Sequence, residues 1–452
     1  MKRFYNRDAE IRQLRDMQQQ SYEDYSRFVV LTGRRRVGKT SLVYRLMEET
    51  KDNAPGLYFF VGRKTETALV RTFCDEVRNK LQEFVPESIV TFRELMQLLL
   101  EIGKRRKFTL FIDEFQEFDN VNAGVFSDIQ ELWDKYKNET NVCLIVSGSI
   151  FRLMEKIFKD EGQPLFGRDD CTLRLQPFTT STMREILSDY KPDYTNDDLL
   201  ALWTITGGVA RYIEQLMNNN CTNVEAMVHY VCSAGNSFFI DEGRSVHIQE
   251  FGKHYGTYFS ILDQIASGEV TQKEIEVSLG VNVLGGHLKM LEEKYGIIRK
   301  KRPIGAKSGS QTVRYEIQDN FFRFWFRYIN RYAQLIEIGN FPALEQIILS
   351  DYPTFSGISL ERWFKQKMIE SHRYKTIGSW WCGGEVNAKG NKDDFEIDIV
   401  AETIDGEAEA YEVKRNPQKY NPSRLKEKVE IMQRHLFRNQ EVKMIGLSME
   451  DM

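Results

Sequence analysis

The chain has 452 residues, of which 41% are hydrophobic and 28% are charged, a composition that excludes a fibrous or disordered protein. The net charge of −4 and the pI near 6.0 give no overall attraction to nucleic acid, so any such binding needs a local basic surface. The opening residues lack a secretory signal, no run approaches the ~20 apolar residues of a membrane helix, and the six cysteines lack close metal-ligand spacing. We therefore expect a cytoplasmic protein without membrane contact, zinc or disulfides.

The first part of the chain alternates short β-branched or aromatic runs with longer helical patterns. Strands separated by helices predict an α/β fold built on a doubly wound parallel sheet. We assign residues 1–177 to this first domain. The predicted strands are Phe28–Thr32, Leu57–Val61, Phe108–Ile112, Val142–Val146 and Thr172–Leu175.

Two further domains follow in the middle of the chain. Residues 178–249 show only helical spacing, which predicts a helical lid. Residues 250–349 predict three helices, two short strands around a Gly/Ser-rich tip at Gly305–Ser310, and an aromatic helix at Phe321–Ile336 that packs in the core. This order is typical of a winged helix with a helical connector. The three helices are predicted at Tyr255–Ala266, Gln272–Leu279 and Leu284–Tyr295.

A glycine-rich motif lies between the first predicted strand and the helix that follows it. The segment Gly33-Arg34-Arg35-Arg36-Val37-Gly38-Lys39-Thr40 fits the P-loop pattern, in which backbone amides and a helix start bind phosphate. Lys39 is expected to reach the β- and γ-phosphates, and Thr40 to ligate Mg²⁺. The residues predicted to bind ATP here are Gly33, Val37, Gly38, Lys39, Thr40 and Ser41.

Two carboxylates and two serines follow neighbouring strands of the same predicted sheet. Asp113 is expected to hold Mg²⁺ through water, and Glu114 to orient and deprotonate the attacking water. The alternative is a solvated acidic strand end. Ser147 and Ser149 come directly after another strand, and either could sense the γ-phosphate.

These residues resemble the AAA+ class of P-loop ATPases, and more closely the archaeal-type ATPase family that is also common in bacteria. The opening Phe4-Tyr5-Asn6-Arg7 resembles the family segment that lies against the adenine, which implies a nucleotide contact for Arg7. Pro164–Arg168 resembles a family signature that implies Arg168 as a stabiliser of phosphate charge, in its own or a neighbouring subunit of a homo-oligomer.

The predicted lid carries a further family-like element. Gly207-Gly208-Val209-Ala210-Arg211-Tyr212 resembles the Gly-Gly-x-Pro-x-Tyr element, with Ala210 in place of proline. The resemblance implies that Arg211 contacts the nucleotide. For Arg168 and Arg211 alike, the alternative is an ordinary surface or ion-paired side chain.

The predicted winged helix contains a basic segment. Between Leu284 and Arg314 the chain has eight basic residues and two glutamates. A recognition helix with a basic wing would bind DNA phosphates, whereas the alternative is a winged helix used for protein contacts. The residues predicted to contact nucleic acid are Lys289, Arg299, Lys300, Lys301 and Arg302.

Residues 350–452 read as another α/β domain with a polar cluster. A hairpin through Asp405-Gly406 would bring Asp398 to Glu412 and Lys414, which alternate onto one side of their strand. Asp398 and Glu412 would bind metal, Lys414 would orient or acidify water, and Glu361 could complete the set.

This arrangement resembles the PD-(D/E)xK nuclease superfamily. The segment from Phe355 to Lys414 also resembles the C-terminal domain that accompanies archaeal-type ATPases. Acid–lysine pairs are frequently surface salt bridges, so a tail without cutting activity is the alternative.

The leading hypothesis is an ATP- and Mg²⁺-dependent protein that engages DNA through a winged helix and cleaves it with a nuclease-like domain. One rival is a nucleotide-dependent switch with an inactive tail that binds partners. Another is a chaperone-like or signalling ATPase whose winged helix serves assembly alone.

Overall fold

The computed structural model describes residues 1–233, 235, 237–251, 255–268, 270–306, 313–386, 392–438 and 440–452. The chain divides into two compact units, Arg3–Pro177 and Phe178–Met452, the latter together with Met1–Lys2. Among the described residues, no helix combines the length and the apolar character needed to cross a membrane.

The first unit is built on a five-stranded parallel sheet with the order β2-β3-β4-β1-β5. All five predicted strands are present, and β1, β3 and β4 are buried along nearly their whole length. Parallel strands place their carboxyl ends at one edge, so the ends of β1, β3 and β4 lie side by side there. The strands are β1 (Arg27–Gly33), β2 (Gly56–Phe60), β3 (Phe108–Asp113), β4 (Val142–Gly148) and β5 (Cys171–Leu175).

Helices cover the sheet of this unit and complete two hydrophobic cores. One core contains Phe28, Phe108 and Trp133, and the other contains Leu42 and Phe111. Helices cover the central strands on both faces of the sheet. Residues on either face of these strands are therefore buried, which is why the strands are continuous apolar runs in the sequence. The helices are α1 (Asp8–Glu23), α2 (Lys39–Thr50), α3 (Glu66–Leu81), α4 (Phe92–Gly103), α5 (Phe118–Val121), α6 (Gly124–Tyr136) and α7 (Phe151–Lys159).

The second unit begins with helices, as predicted for residues 178–249. The helix α9 starts with a capping box formed by Thr195 and Asp198 and ends at Gly207, which has a left-handed backbone with φ of 58°. Glycine adopts this conformation at little cost, so the helix stops there. The helices are α8 (Thr180–Tyr190), α9 (Asn196–Thr206), α10 (Ala210–Asn218), α11 (Val224–Val231) and α12 (Ser237–Phe251).

The next elements occur in the predicted winged-helix order. Three helices, α13 (Tyr255–Ser267), α14 (Gln272–Leu279) and α15 (Gly285–Lys289), precede two antiparallel strands, β6 (Ile298–Lys301) and β7 (Arg314–Ile317). A π-helical turn, Met290–Lys294, extends α15. Residues 307–312, which include part of the predicted Gly/Ser-rich tip, lie outside the described residues.

The aromatic segment after the wing is buried, which confirms the predicted core role, but it is not one helix. It divides into α16 (Asn320–Phe324), the π-helical turn Trp325–Asn330, and α17 (Ala333–Glu337). Bulky neighbouring rings, such as Phe321, Phe324 and Phe326, all lie at 1% exposure or less. Rings on successive residues are therefore buried around the whole circumference of the segment.

The last part of the chain forms a long helix and a four-stranded sheet with the order β11-β10-β9-β8. The predicted hairpin is present, since β9 and β10 pair antiparallel and Gly406 has a φ of 87°. The boundary that we predicted at residue 350 falls inside α18, which begins at Phe341. The elements are α18 (Phe341–Glu370), β8 (Tyr374–Val386), β9 (Lys392–Thr403), β10 (Ala408–Lys414), α19 (Pro422–Gln433) and β11 (Val442–Ser448).

Contacts along α18 connect all parts of the second unit. Glu370 accepts hydrogen bonds from the backbone amide and hydroxyl of Thr180 at the start of α8. Arg362 pairs with Glu316 of β7 at 3.1 Å, and Ser356 accepts a hydrogen bond from Arg415, just after β10. One helix therefore contacts the lid, the wing and the C-terminal sheet.

Candidate functional site

The P-loop connects the end of β1 to the start of α2 in the first unit. A Cβ at Gly33 would lie 2.7 Å from the carbonyl oxygen of Leu175, and Gly38 has a φ of 104°, so both positions require glycine. Lys39 is 6% exposed, and its Nζ donates to the carbonyl oxygens of Gly33 at 2.8 Å and Arg34 at 3.1 Å. The ammonium thus lies over the loop that is predicted to bind phosphate.

Asp113 is the last residue of β3, and both of its carboxylate oxygens accept hydrogen bonds. The hydroxyls of Thr40 and Tyr58 donate to its Oδ2 at 2.8 Å and 3.2 Å. Its Oδ1 accepts from the Ser147 hydroxyl and from the Glu114 backbone amide at 3.0 Å. The structure therefore brings together the carboxylate and the hydroxyl that we predicted as metal ligands. Tyr58 was missed, and the pKa of its hydroxyl is raised by burial and by Asp113.

Glu114 follows Asp113 with a left-handed backbone, at φ 55° and ψ 41°. For a residue with a side chain this conformation costs roughly 1 kcal/mol, so the surrounding contacts must hold it in place. Ser149 donates to Glu114 Oε2 at 2.7 Å, and the Gln116 side chain donates to the same oxygen. Ser149, rather than the fully buried Ser147, is therefore the serine that contacts the predicted base.

Burial and the two neighbouring carboxylates shift the pKa of Lys39 in opposite directions. Burial lowers the pKa of Lys39, whereas Glu114 and Asp113 raise it. The net direction is downward, because the side chain is almost completely removed from solvent. Phosphate oxygens would supply further negative charge for this ammonium.

Two arginines singled out in the first unit have partners within it. Arg7 is 5% exposed; its guanidinium donates to Gln176 O at 2.7 Å and to Val37 O at 3.4 Å. Arg7 therefore links the P-loop backbone to the residue that follows β5. Arg168 pairs with Asp134 at 3.0 Å and donates to a carbonyl of its own loop.

Arg211 lies in the second unit, in the first turn of α10. Its side chain is 44% exposed and pairs with Glu214 at 2.7 Å. Tyr212, the next residue, is buried, and its hydroxyl contacts Glu242. The family-like element thus places one residue in the lid core and leaves Arg211 at its surface.

The second predicted site lies where β9 and β10 pair. Lys414 Nζ is 2.8 Å from Glu412 Oε1 and 3.4 Å from Asp398 Oδ2, so both carboxylates converge on one cation. The Val413 backbone amide also donates to Asp398 Oδ2 at 2.8 Å. The structure therefore brings together all three residues that the hairpin was predicted to align.

A further lysine, Lys428 of α19, also contacts Glu412. Its Nζ lies 2.7 Å from Oε2 and 3.0 Å from Oε1 of that carboxylate. Lys414 and Lys428 lower the pKa of Glu412 more than burial raises it, whereas burial and Glu412 raise the pKa of Asp398. Lys428 was missed because a lysine on an amphipathic helix gives no local signal of what it faces.

Glu361 lies on α18, near this cluster. Burial and the Asp398 charge raise its pKa, and burial lowers the pKa of Lys365 one turn further on. Lys365 donates to Ser379, whose hydroxyl donates to the Asp398 carbonyl oxygen. Across the described residues, no three His, Cys, Asp or Glu side chains converge tightly enough to hold a metal. Glu361 therefore lies within electrostatic reach of Asp398, although these side chains do not form a preassembled three-residue metal cluster among the described residues.

The basic segment of the winged helix is largely paired with acidic residues. Lys289, with 65% of its side chain exposed, lies 3.7 Å from Glu293, and Lys300 lies 2.8 Å from Glu292. Arg299 pairs with Glu316.

The wing also packs on the C-terminal sheet. Lys301 lies over the Trp381 ring of β8, and the Ile304 amide donates to Ser379 O at 2.8 Å. Arg302 is exposed. One side of the wing is therefore covered within the unit, and Lys289 and Arg302 extend from the rest.

Two family descriptions match the chain. Residues 4–216 match a family described as an ATPase domain predominantly from Archaea, and residues 325–450 match a family described as archaeal and bacterial proteins of unknown function. Residues 4–216 therefore carry an archaeal-type ATPase domain. The resemblance found in the sequence is thereby confirmed, and the P-loop, Asp113 and Glu114 all fall within the first matched region.

Relatives of this ATPase span most of its length. An uncharacterized protein of Methanocaldococcus jannaschii is 26% identical over 415 residues, covering 88% of this chain and 84% of the relative. The Walker-type ATPase of Pyrococcus abyssi superposes with a TM-score of 0.53 at 18% identity, covering 72% of this chain and 96% of that one. The ORC2 protein of Aeropyrum pernix, in ADPNP and ADP complexes, gives 0.49 at 13% identity, with 76% and 95% covered. The Pyrococcus likeness supports the fold.

Proposed function

We propose that this ATPase domain binds ATP with Mg²⁺ and hydrolyses it with Glu114 as the base. The observation that carries the proposal is the direct contact between the Thr40 hydroxyl and Asp113, since these two groups would share the metal. Bound magnesium would neutralise charge on the phosphate oxygens. Lys39 would exchange its loop carbonyls for phosphate oxygens, and Glu114 would hold and deprotonate the attacking water.

Separate variants test binding and turnover at this site. Lys39→Ala should lose binding of a fluorescent ATP analogue, because the buried ammonium is removed. Glu114→Gln should keep binding but lower turnover by roughly 100-fold or more, as expected for a lost general base. Asp119→Asn, an exposed carboxylate that follows on the same segment, is the matched control. Normal hydrolysis by Glu114→Gln would refute the assignment of the base.

Arg7, Arg168 and Arg211 have proposed supporting roles. Arg7 would fix the P-loop through the Val37 carbonyl, and Arg211 would reach the nucleotide from the lid. Arg168 would stabilise phosphate charge, in its own or a neighbouring subunit, after leaving Asp134, with which it forms a partly exposed pair. Such exposed pairs contribute about 0–1 kcal/mol, so the exchange costs little.

We further propose that residues 350–452 form a metal-dependent nuclease-like domain. The convergence of Asp398 and Glu412 on the Lys414 ammonium supports it, because a divalent cation fits the same kind of position and commonly uses only one or two carboxylates. The bound metal would activate water and polarise a phosphodiester.

Cleavage of supercoiled DNA measures this activity. The wild-type chain should nick the plasmid with Mg²⁺ or Mn²⁺, and Asp398→Asn should reduce nicking without altering ATP turnover. Glu402→Gln, also on β9 but paired with the exposed Lys375, is the matched control. Equal nicking by wild type and Asp398→Asn would favour the rival reading, a nucleotide-dependent switch with an inactive tail.

DNA binding through residues 250–349 is the third part of the proposal. Lys289 and Arg302 supply exposed charge, and the acidic partners of Arg299 and Lys300 would have to be exchanged for phosphates. A Lys289→Gln/Arg302→Gln variant should weaken duplex binding and reduce its salt dependence by about two charges. Unchanged binding in fluorescence anisotropy would instead favour a winged helix used for assembly.

A further inference from the structure

Lys428 contacts both carboxylate oxygens of Glu412, one of the two acids that the proposed nuclease-like site needs to bind metal. Its Nζ lies 2.7 Å from Glu412 Oε2 and 3.0 Å from Oε1, while Lys414 approaches Oε1 at 2.8 Å. The side chains of Lys428 and Glu412 are only 13% and 11% exposed. Solvent therefore screens this pair weakly.

A carboxylate held by two ammonium groups is a poor ligand for a divalent cation. The cation would have to approach two positive charges at close range or displace one of them. Lys414 is fixed beside both acids, because it lies on the same strand as Glu412 and also contacts Asp398. Lys428 approaches from α19, and its flexible four-carbon stem allows the ammonium to change partners.

A phosphodiester oxygen is the natural alternative partner for such an ammonium, since lysine binds phosphate as a point charge. Were Lys428 to take up a backbone phosphate, Glu412 would regain Oε2 for a metal. Charge neutralisation would then proceed in the order phosphate first and metal second. The two ligands would bind with mutual reinforcement, because each removes a charge that opposes the other.

We propose that Lys428 is a phosphate-binding residue of the C-terminal site and that it blocks Glu412 until a nucleic-acid phosphodiester draws it away. The inference rests on the proposed metal-dependent cleavage at Asp398 and Glu412. It assigns the site a nucleic-acid backbone as substrate and couples loading of the metal to binding of that backbone.

Metal affinity without nucleic acid provides the first test. Mn²⁺ binding to the full chain is followed by electron paramagnetic resonance in the absence of nucleotide, and the portion lost in Asp398→Asn defines this site. Lys428→Gln should bind that Mn²⁺ roughly ten-fold more tightly than wild type, a change of the size that partners of ligating groups commonly produce. Lys428→Arg, which keeps the charge, should behave like wild type, as should Lys426→Gln, an exposed lysine on the same helix.

DNA affinity without metal provides the second test. In chelator, fluorescence anisotropy of a labelled oligonucleotide should show tighter binding by Glu412→Gln, because Lys428 is released, and this gain should vanish in Glu412→Gln/Lys428→Gln. A gain that persists in the double variant would overturn the inference. So would unchanged or weaker Mn²⁺ binding by Lys428→Gln, which identifies the pair as a structural salt bridge.

The two levels of the proposal fail differently. If no Mn²⁺ binding depends on Asp398, both the metal site and the role of Lys428 are wrong. If Asp398-dependent binding is present but insensitive to Lys428→Gln, the nuclease-like proposal stands and the inference falls. Thermal melting of each variant identifies any that do not fold. If Lys428→Gln does not fold, the DNA affinity of Glu412→Gln against wild type carries the test, and unchanged affinity overturns the inference.

Discussion

Glu316 joins the two strands of the wing to α18, and its removal should destabilise the second unit. Its carboxylate pairs with Arg362 of α18 at 3.1 Å and with Arg299 across the wing hairpin. Burial opposes the charged form, but Arg362 and Arg299 outweigh it and lower the pKa of Glu316 from 4.5 to about 2. We therefore expect Glu316→Gln to destabilise the unit.

The size of the effect follows from the pKa. Lowering a carboxyl pKa from 4.5 to about 2 corresponds to about 3 kcal/mol of stability at neutral pH. Because 19% of the side chain stays exposed, solvent screening reduces the expected loss to about 2 kcal/mol. The folded-state pKa lies below the unfolded value, so this contribution is complete above pH 4.5 and is lost as the pH falls toward 2.

Urea unfolding followed by tryptophan fluorescence measures this loss. Five of the six tryptophans lie in Phe178–Met452, so the signal reports mainly on the unit that contains Glu316. The difference in unfolding free energy between wild type and Glu316→Gln should be about 2 kcal/mol at pH 7 and should shrink by more than half at pH 3.

Glu402→Gln is the matched control, because its partner Lys375 is 63% exposed and such surface pairs contribute about 0–1 kcal/mol. The electrostatic reasoning is refuted if Glu316→Gln costs no more than this control at pH 7. It is also refuted if the difference from wild type stays constant between pH 7 and pH 3.

Three further outcomes are expected. Gly33→Ala should abolish binding of a fluorescent ATP analogue although Lys39 is intact, because the new methyl would lie 2.7 Å from a β5 carbonyl oxygen. Tyr58→Phe should raise the Mg²⁺ concentration for half-maximal ATP turnover up to about ten-fold, since Asp113 loses one donor; an unchanged Mg²⁺ requirement would contradict this. Arg415→Met should lower the urea stability of the second unit by about 1–3 kcal/mol, because the guanidinium no longer donates to the buried Ser356 hydroxyl and the partly exposed pair with Asp197 is lost; full stability would exclude it.

Local patterns predicted the parts of the fold that repeat along the chain. The five strands of the first sheet are continuous apolar runs bounded by turns, and the hairpin at Asp405-Gly406 has a turn dipeptide between alternating strands. The aromatic segment was misjudged as one helix, since rings on successive residues carry no periodicity that would mark a π-helical turn. The domain boundary predicted at residue 350 falls inside α18, because this one helix runs from Phe341 to Glu370 through Pro353.

The sites show the same division between local and distant information. Asp113 and Glu114 are adjacent in sequence and follow one strand, so their proximity to the P-loop could be predicted. Tyr58 and Lys428 reach their carboxylates from other elements, and nothing in their own neighbourhoods indicates which acid they will meet. The sequence also did not predict that the wing packs against β8. Its basic residues form a charge run of the kind that is usually exposed to solvent, and their partners lie far away in the sequence.

The long helix α18 decides how the C-terminal region can be studied. It spans 30 residues, or about 45 Å, and its side chains complete the packing of the lid, the wing and the last sheet alike. A shortened chain that stops before Phe341 would lose the last sheet together with α18, and it would expose apolar and charged surface of the lid and the wing. A truncation made to isolate the ATPase domain would thus also disturb the packing of the lid and the wing. Single side-chain substitutions test one contact at a time.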